Sequence, residues 1–501
     1  MTRPIKPKER ETIIQSLKSG VVPRLGLQHI QVGRNEELKS FIKDIDTIAD
    51  GGTSFRFVIG EYGSGKTFFM SLVRSIALEK GLVTVHADLS PSKRLHGSDG
   101  QARLLFSELI ASMSTRTKQD GNALANILDK FVMQVKADAE ASGQTNVEKA
   151  IMTSLSELND YTSGFSFATV VMKYWQGYEA GNDTLKGNAL RWLRAEYTTR
   201  TDAYRELGVR DIISDNSFYD SLKLYSVLIR KAGYKGLLVC LDEMVNLYKI
   251  TNSVSRKANY EQILYMMNNT LQGTFPSIGF VMCGTPEFLT DSARGLYSYD
   301  ALKTRLSENA FVKQLGLIDY NSVVLRLASL TKEELFILLK NLRNVFAFGD
   351  ESKYLVPDDA LVSYLHHCDT KIGESYFRTP RTTIKSFLDL LSTLEQYPDV
   401  KWTDILDKDV GNHGGPLIII RTVASQGSEM GLGAELVRTS DYSGIDHPLC
   451  SEGGQGPCYQ CIDRWWKNRG RIPAYIVQDS GVGQFKRRLC SPVYKSSEGS
   501  Y

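Results

Sequence analysis

The sequence predicts an α/β fold: a parallel sheet interrupted by a large helical insertion, followed by a helical, lid-like domain and an atypical C-terminal tail. Three observations carry this prediction. Apolar runs of strand length (Phe55–Ile59, Leu82–Ala87, Gly236–Leu241 and Ser277–Cys283) alternate with helical patterns, a spacing that suits crossovers between parallel strands. A glycine-rich loop joins the first run to an apolar helix beginning at Thr67. The composition changes at Gly411, after which 91 residues hold 14 of the 41 glycines and four of the seven cysteines.

Taken in order, Thr12–Ser19 starts a helix, Gly20–Gly26 with Pro23 breaks it, and Asn35–Ile48 resumes an amphipathic pattern. Residues 1–50 therefore form an N-terminal helical segment. Residues 51–330 form the core. The stretch at about 104–232 is its helical insertion, with apolar residues at three- and four-residue spacing in Ala123–Ala139 and Ser221–Ala232. A further helix is expected around Asn259–Leu271. From Thr331 the chain reads KEELFILLKNL, DDALVSYLHH and TIKSFLDLLSTL, so residues 331–410 are a helical domain with a boundary near Leu330. Residues 411–501 are the Gly/Cys-rich tail.

Hydrophobic residues make up 42% and charged residues 23%, which is enough apolar material for a sizeable core and excludes wholesale disorder. Lys and Arg total 60 against 57 Asp and Glu, which excludes a histone-like polycation. No apolar run reaches membrane-spanning length, and MTRPIKPKERETIIQSL has no signal-peptide core. The expectation is a soluble, cytoplasmic chain with no membrane partner. Seven cysteines in 501 residues do not form a disulfide scaffold.

Gly60-Glu61-Tyr62-Gly63-Ser64-Gly65-Lys66-Thr67 fits G-x-x-x-x-G-K-[ST], the Walker A pattern, between an apolar strand and an apolar helix. Glycines let successive N–H groups turn toward a phosphate, and the helix beginning at Lys66–Thr67 adds its positive end. Lys66 would reach the β- and γ-phosphates, and the Thr67 hydroxyl would ligate Mg²⁺. The bland alternative is a glycine turn closing a strand. A metal-holding acid and a water-orienting group are also required, and Leu237–Glu243 (LLVCLDE) supplies both at one strand end. Asp242 would hold the Mg²⁺ shell and Glu243 would polarise the attacking water.

Phe280–Thr285 ends a further strand in a small polar residue, so Thr285 fits either a γ-phosphate sensor or an ordinary strand end. Arg305 follows in ALKTRL, where a guanidinium could complete a neighbouring subunit's site; Arg294 competes for that role. Arg378-Thr379-Pro380-Arg381 opens a helix, which would let Arg381 fold back onto the nucleotide or stand solvated. Val32–Leu38 (VGRNEEL), ahead of the first strand, is placed to pack near an adenine.

In this order the elements resemble the AAA+ ATPases, in particular the branch with origin-recognition and STAND-type proteins. V-G-R-x-E-E-L before the Walker strand and T-P-R at a late helix start suggest that branch. A closer resemblance is to the ATP-binding proteins of bacterial BREX phage-defence systems, of the BrxD type and related to BrxC. It rests on Gly20–Gly33 (GVVPRLGLQHIQVG), Gly60–Phe69, Tyr174–Tyr178 (YWQGY), Ala189–Tyr197 (ALRWLRAEY), Gly233–Tyr248, Gly284–Leu289, Arg294–Leu306 and Thr379–Arg381. It covers roughly residues 8 to 395. The resemblance implies a P-loop AAA+ core that binds ATP with Mg²⁺ and works beside a helicase, a DNA methyltransferase and other defence proteins.

Two regions depart from a minimal core. The insertion carries Trp175, Trp192 and Tyr197 with Arg191, Arg194 and Arg200, which read as a packed face with a solvated rim before they read as a nucleic-acid surface. In the tail, Cys458 and Cys461 form a C-x₂-C pair with Cys450, Cys490, His447 and His413 as candidate partners; without a matching second pair the stretch reads as a poorly ordered extension before it reads as a zinc site. The leading expectation is an ATPase, active as a homo-oligomer, that drives or times assembly of a DNA-directed complex. Its rival is a nucleotide-gated, STAND-like binding module with little turnover.

Overall fold

The computed structural model describes residues 5–370, 380–410, 419–424 and 432–437. Its centre is a five-stranded, wholly parallel sheet of β1 (Thr53–Ile59), β2 (Val83–Asp88), β3 (Leu237–Asp242), β4 (Ile278–Gly284) and β5 (Val324–Arg326), in the order β2-β3-β4-β1-β5. Every residue of β3 and β4 is buried. That is why these strands read as continuous apolar runs rather than alternating ones: helices cover both faces.

Successive side chains leave the sheet on opposite sides, and the two sides build two cores. Phe55, Phe57, Val83, Val85, Val239, Leu241, Phe280 and Met282 join the larger one, with the helices of the insertion between Gln101 and Lys231. Val58, Leu238, Cys240, Val281 and Cys283 join the other, with Phe41 and Ile45 of helix Asn35–Ala49 and Phe69 and Val73 of helix Lys66–Glu79. A third core lies off the sheet. There Ile13 and Ile14 of the first helix, Pro7–Lys18, meet Leu338, Leu339 and Leu342 of helix Lys332–Phe346 and Phe387, Leu388 and Leu391 of helix Pro380–Gln396. Thr331 opens this group with a capping box: its hydroxyl accepts from Glu334 N, and the Glu334 carboxylate accepts from Thr331 N at 2.9 Å.

The four expected strands are present. β5 is an addition: three residues on the sheet edge are too few to show a period in sequence. The first helix starts at Pro7, five residues before the expected Thr12, because proline is preorganised for a first helical turn. Residues Asp407–Tyr501 form a separate unit, described by an antiparallel hairpin of β6 (Ile419–Ala424) and β7 (Leu432–Val437) with Ile420 opposite Leu436. His413, His447, Cys450, Cys458, Cys461 and Cys490 lie outside the described residues. Among the described residues, no group of three His, Cys, Asp or Glu is arranged to hold a metal ion, and no helix is long and apolar enough to cross a membrane.

Candidate functional site

Parallel strands deliver their C-terminal ends to one edge, and three of these ends carry the predicted site. β1 stops at Ile59, the loop Gly60–Gly65 turns, and the helix begins at Lys66. Gly63 and Gly65 have φ of 79° and 91°, the left-handed region that glycine enters without steric cost. At Gly60 a Cβ would stand 2.6 Å from Ser64 Oγ and 3.0 Å from the Leu327 carbonyl, so the loop closes too tightly there for a side chain. Lys66 Nζ donates to the carbonyls of Gly60 and Glu61, both at 2.8 Å. Burial pulls the Lys66 ammonium below its ordinary range, opposed by Asp242.

β3 brings Asp242 to the same edge, only 3% exposed. Its Oδ2 accepts from the Thr67 hydroxyl at 2.8 Å, and its Oδ1 accepts from the Glu243 N–H at 2.8 Å. Both oxygens are thus engaged, one across the cleft and one along the chain. Glu243 takes φ of 56°, an uncommon value for a residue with a side chain, and its carboxylate is exposed. The Met244 N–H donates to Cys283 O at 3.0 Å, which holds this turn against β4. Neighbouring β2 ends in Asp88, in register with Asp242; burial, then Asp242, Glu108 and Glu243, push its carboxyl above the usual range.

β4 lies between β3 and β1, so Thr285 at its end stands between the acidic turn and the glycine loop. Its hydroxyl is buried and has no hydrogen-bond partner. Ser64 Oγ, within the loop, is in the same condition. Buried hydroxyls are nearly always paired, so two orphans at one strand edge mark a place where the partner is a ligand or water rather than protein.

Beside the loop, the cleft is walled by apolar side chains from distant segments: Leu17, Val22, Ile30 and Val32 from the N-terminal region, and Leu338 and Ile384 from the late helices. Arg34 borders it, tied to Glu37 at 3.5 Å and to the Ala328 carbonyl. Arg381 enters from the start of helix Pro380–Gln396. Its Nη1 donates to Tyr62 Oη at 3.1 Å, and its guanidinium carbon lies 5.3 Å from the centre of the Tyr62 ring. Arg378 and Thr379 fall outside the described residues.

Arg305 is not brought into this cleft. It is exposed, donating from Nε to Asn268 Oδ1 at 3.0 Å and from Nη1 to Ala301 O at 2.9 Å. Its competitor Arg294 is half-buried, with Nη2 donating to the carbonyls of Tyr248 at 3.1 Å and Ile250 at 3.3 Å. Both guanidinia are thus engaged within their own chain, and neither lines the cleft. Of the three insertion aromatics weighed as a stacking surface, Trp192 and Tyr197 are buried and Trp175 is half-buried against the core; Trp192 Nε1 donates to Asp211 O at 2.7 Å, and Tyr197 Oη donates to Glu206.

The cations of an ATP site fit these residues. A P-loop Mg²⁺ takes one or two protein oxygens and completes its shell with phosphates and water. Thr67 Oγ1 and Asp242 Oδ2, already 2.8 Å apart, offer those two oxygens. Val32 and Arg34 of the segment expected near an adenine do line the cleft, whereas sequence reasoning missed Asp88 as a neighbour of Asp242 and the apolar wall of Leu17, Val22 and Ile30. Strand register would have revealed the first; no local signal reveals the second.

A family model described as BREX system ATP-binding protein BrxC/D matches residues 5–410. The match runs from the first helix through Trp402–Val410 and stops where the composition changes. No curated protein matches the chain.

Proposed function

The chain belongs to the BREX system ATP-binding protein family, and on that premise we propose that it is an AAA+ ATPase whose nucleotide state drives or times assembly of a DNA-directed phage-defence complex. The observation that carries this reading is the 2.8 Å contact between Thr67 and Asp242, residues far apart in sequence that meet at one sheet edge. In the proposed reaction the glycine loop and the N-terminal end of helix Lys66–Glu79 bind the phosphates, and Lys66 exchanges its two carbonyl acceptors for β- and γ-phosphate oxygens. Thr67 and Asp242 hold Mg²⁺, which when bound neutralises charge on the phosphates. Glu243 accepts a proton from water as the water oxygen bonds to the γ-phosphorus and the bond to the β-γ bridging oxygen breaks, releasing ADP and inorganic phosphate. Thr285 offers its unpaired hydroxyl to the γ-phosphate or that water, and Arg381 reaches the phosphates from the helical side.

Helices Lys332–Phe346 and Pro380–Gln396 act as a lid, since Leu338, Ile384 and Arg381 border the cleft that the adenine would fill. Arg305 acts in trans, so turnover depends on homo-oligomers. A helicase, a methyltransferase and DNA are the partners the family membership favours. A second reading, a nucleotide-gated module with little turnover, draws support from the same wall: occupancy would alter packing between the first helix and the late ones.

Steady-state ATP hydrolysis, with and without duplex DNA and with Glu243→Gln as control, separates the two. Turnover that rises with DNA and disappears in the control supports the ATPase. ATP binding with no turnover in either condition moves the function to the gated module.

A further inference from the structure

Tyr62 is the unusual residue of the glycine loop. It is 69% exposed, large and aromatic, in a loop whose other work is done by backbone N–H groups and a lysine. A side chain of this size is not needed to curl a backbone around a phosphate, and none of the loop's internal hydrogen bonds uses it. Its contacts point elsewhere. The Arg381 guanidinium lies over its ring at 5.3 Å and donates to its hydroxyl at 3.1 Å. The arginine stem runs past Gly20, where an added Cβ would stand 3.7 Å from Arg381 Cδ. Tyr62 and Arg381 both line the cleft.

We infer that Tyr62 is a positioning residue for Arg381, holding the guanidinium at the phosphate end of the cleft before nucleotide arrives. An arginine on a long, exposed stem samples many rotamers, and ordering it costs free energy that binding must supply. A ring face attracts the cation and the hydroxyl fixes its rotation about that face, so the two contacts together remove most of this freedom. The loop that binds the phosphates therefore also sets the place of the group that reaches them from the helical side. This rests on the reading of Arg381 as a phosphate-contacting residue, and it adds a role that the Walker pattern does not assign to the residue at this position.

The consequence is specific to the number of phosphates. If Arg381 reaches the terminal phosphate, losing Tyr62 weakens ATP binding and leaves ADP binding alone. Equilibrium binding of fluorescent ATP and ADP analogues to the full chain tests this, with kcat and KM for ATP measured alongside. Tyr62→Ala is expected to lower the ATP-over-ADP preference about tenfold, and Tyr62→Phe, which keeps the ring, to restore most of it. The double variant Tyr62→Ala/Arg381→Ala should be no worse than Arg381→Ala alone, because both remove one interaction. ATP and ADP binding falling together in Tyr62→Ala would show that the ring merely shapes the loop, and would overturn the proposal. A loss of preference in Arg381→Ala without one in Tyr62→Ala would overturn the role of Tyr62 alone. An unchanged preference in Arg381→Ala would overturn the reading of Arg381 and the proposal with it.

Discussion

Two hydroxyls at the sheet edge and three large aromatic side chains of the helical insertion treat their polar atoms in opposite ways. In the insertion, Trp192 donates to Asp211 O at 2.7 Å, Tyr225 to Leu193 O at 2.7 Å and Tyr174 to Asp129 at 2.7 Å, each ring buried among apolar neighbours. Those bonds let large amphipathic side chains enter a core without stranding a donor. At the sheet edge, by contrast, Thr285 and Ser64 keep hydroxyls buried and unpaired, and Glu243 holds a left-handed backbone while its carboxylate faces solvent. Those three rings use their polar atoms to stabilise the insertion, where Trp175 Nε1 and Arg194 Nε are buried without a partner. The sheet edge leaves its two hydroxyls unsatisfied where a ligand would meet them, and so gives up stability for binding.

Substitutions should therefore separate the two regions by what they damage. The largest effect is expected at Trp192. Trp192→Ala opens a cavity beside Phe167 and should cost about 3–5 kcal/mol in urea unfolding, while the folded fraction keeps its ATP affinity. A loss of ATP affinity larger than the loss of folded protein would break the division. Next, Glu243→Gln should reduce turnover about 10²- to 10³-fold with ATP binding and melting temperature retained. An equal fall in melting temperature would place Glu243 among the structural residues.

His86 on β2 offers an intermediate case. Burial, then Arg74 and Arg24, push its imidazole down to about 4, and its Nδ1 is buried without a partner. The unfolded chain takes up the proton near the ordinary value of 6.5, whereas the folded chain resists until about 4. Stability is accordingly full above that higher value and is lost as the pH falls through this window, by about 3 kcal/mol. Urea titrations across the window, repeated on His86→Gln, should show the slope in the native protein and a flatter one in the variant. The smallest effect belongs to Thr285→Val. Because the hydroxyl is buried without a protein partner, replacing it by a methyl should raise stability, by about 1 kcal/mol. Turnover should still fall about tenfold, about 1.4 kcal/mol. A clear destabilisation with normal turnover would mean that the hydroxyl supports the fold.

What could be read in the sequence follows the distance over which each signal acts. The glycine loop, the acidic strand end and the four long strands declare themselves within ten residues, through motif spacing and continuous apolar runs. β5 is too short to show a pattern, and it joins the sheet because Leu327 N donates to Ile59 O at the edge. The apolar wall of the cleft is hidden for a different reason. Leu17 and Ile384 become neighbours only when the first helix packs against the late ones, and neither stretch carries the other's address. The aromatic residues of Ala189–Tyr197 show the limit of composition. Beside arginines they suit a nucleic-acid surface as well as a core, and only burial decides between the two.

The strand order also has a consequence for synthesis of the chain. β1 emerges early from the ribosome, yet its partner on the inner side is β4, with Thr53 opposite Ile278. β2 likewise waits for β3 across the whole insertion, with Val83 opposite Leu237. At about 5–20 residues per second, the nascent glycine loop spends on the order of ten seconds or more with no sheet to support it. Pairings so distant in sequence close slowly, and in the interval both early strands present bare, apolar edges. A chain halted just before β4 should consequently aggregate rather than bind nucleotide, which pelleting of ribosome-released fragments ending near residue 275 would detect.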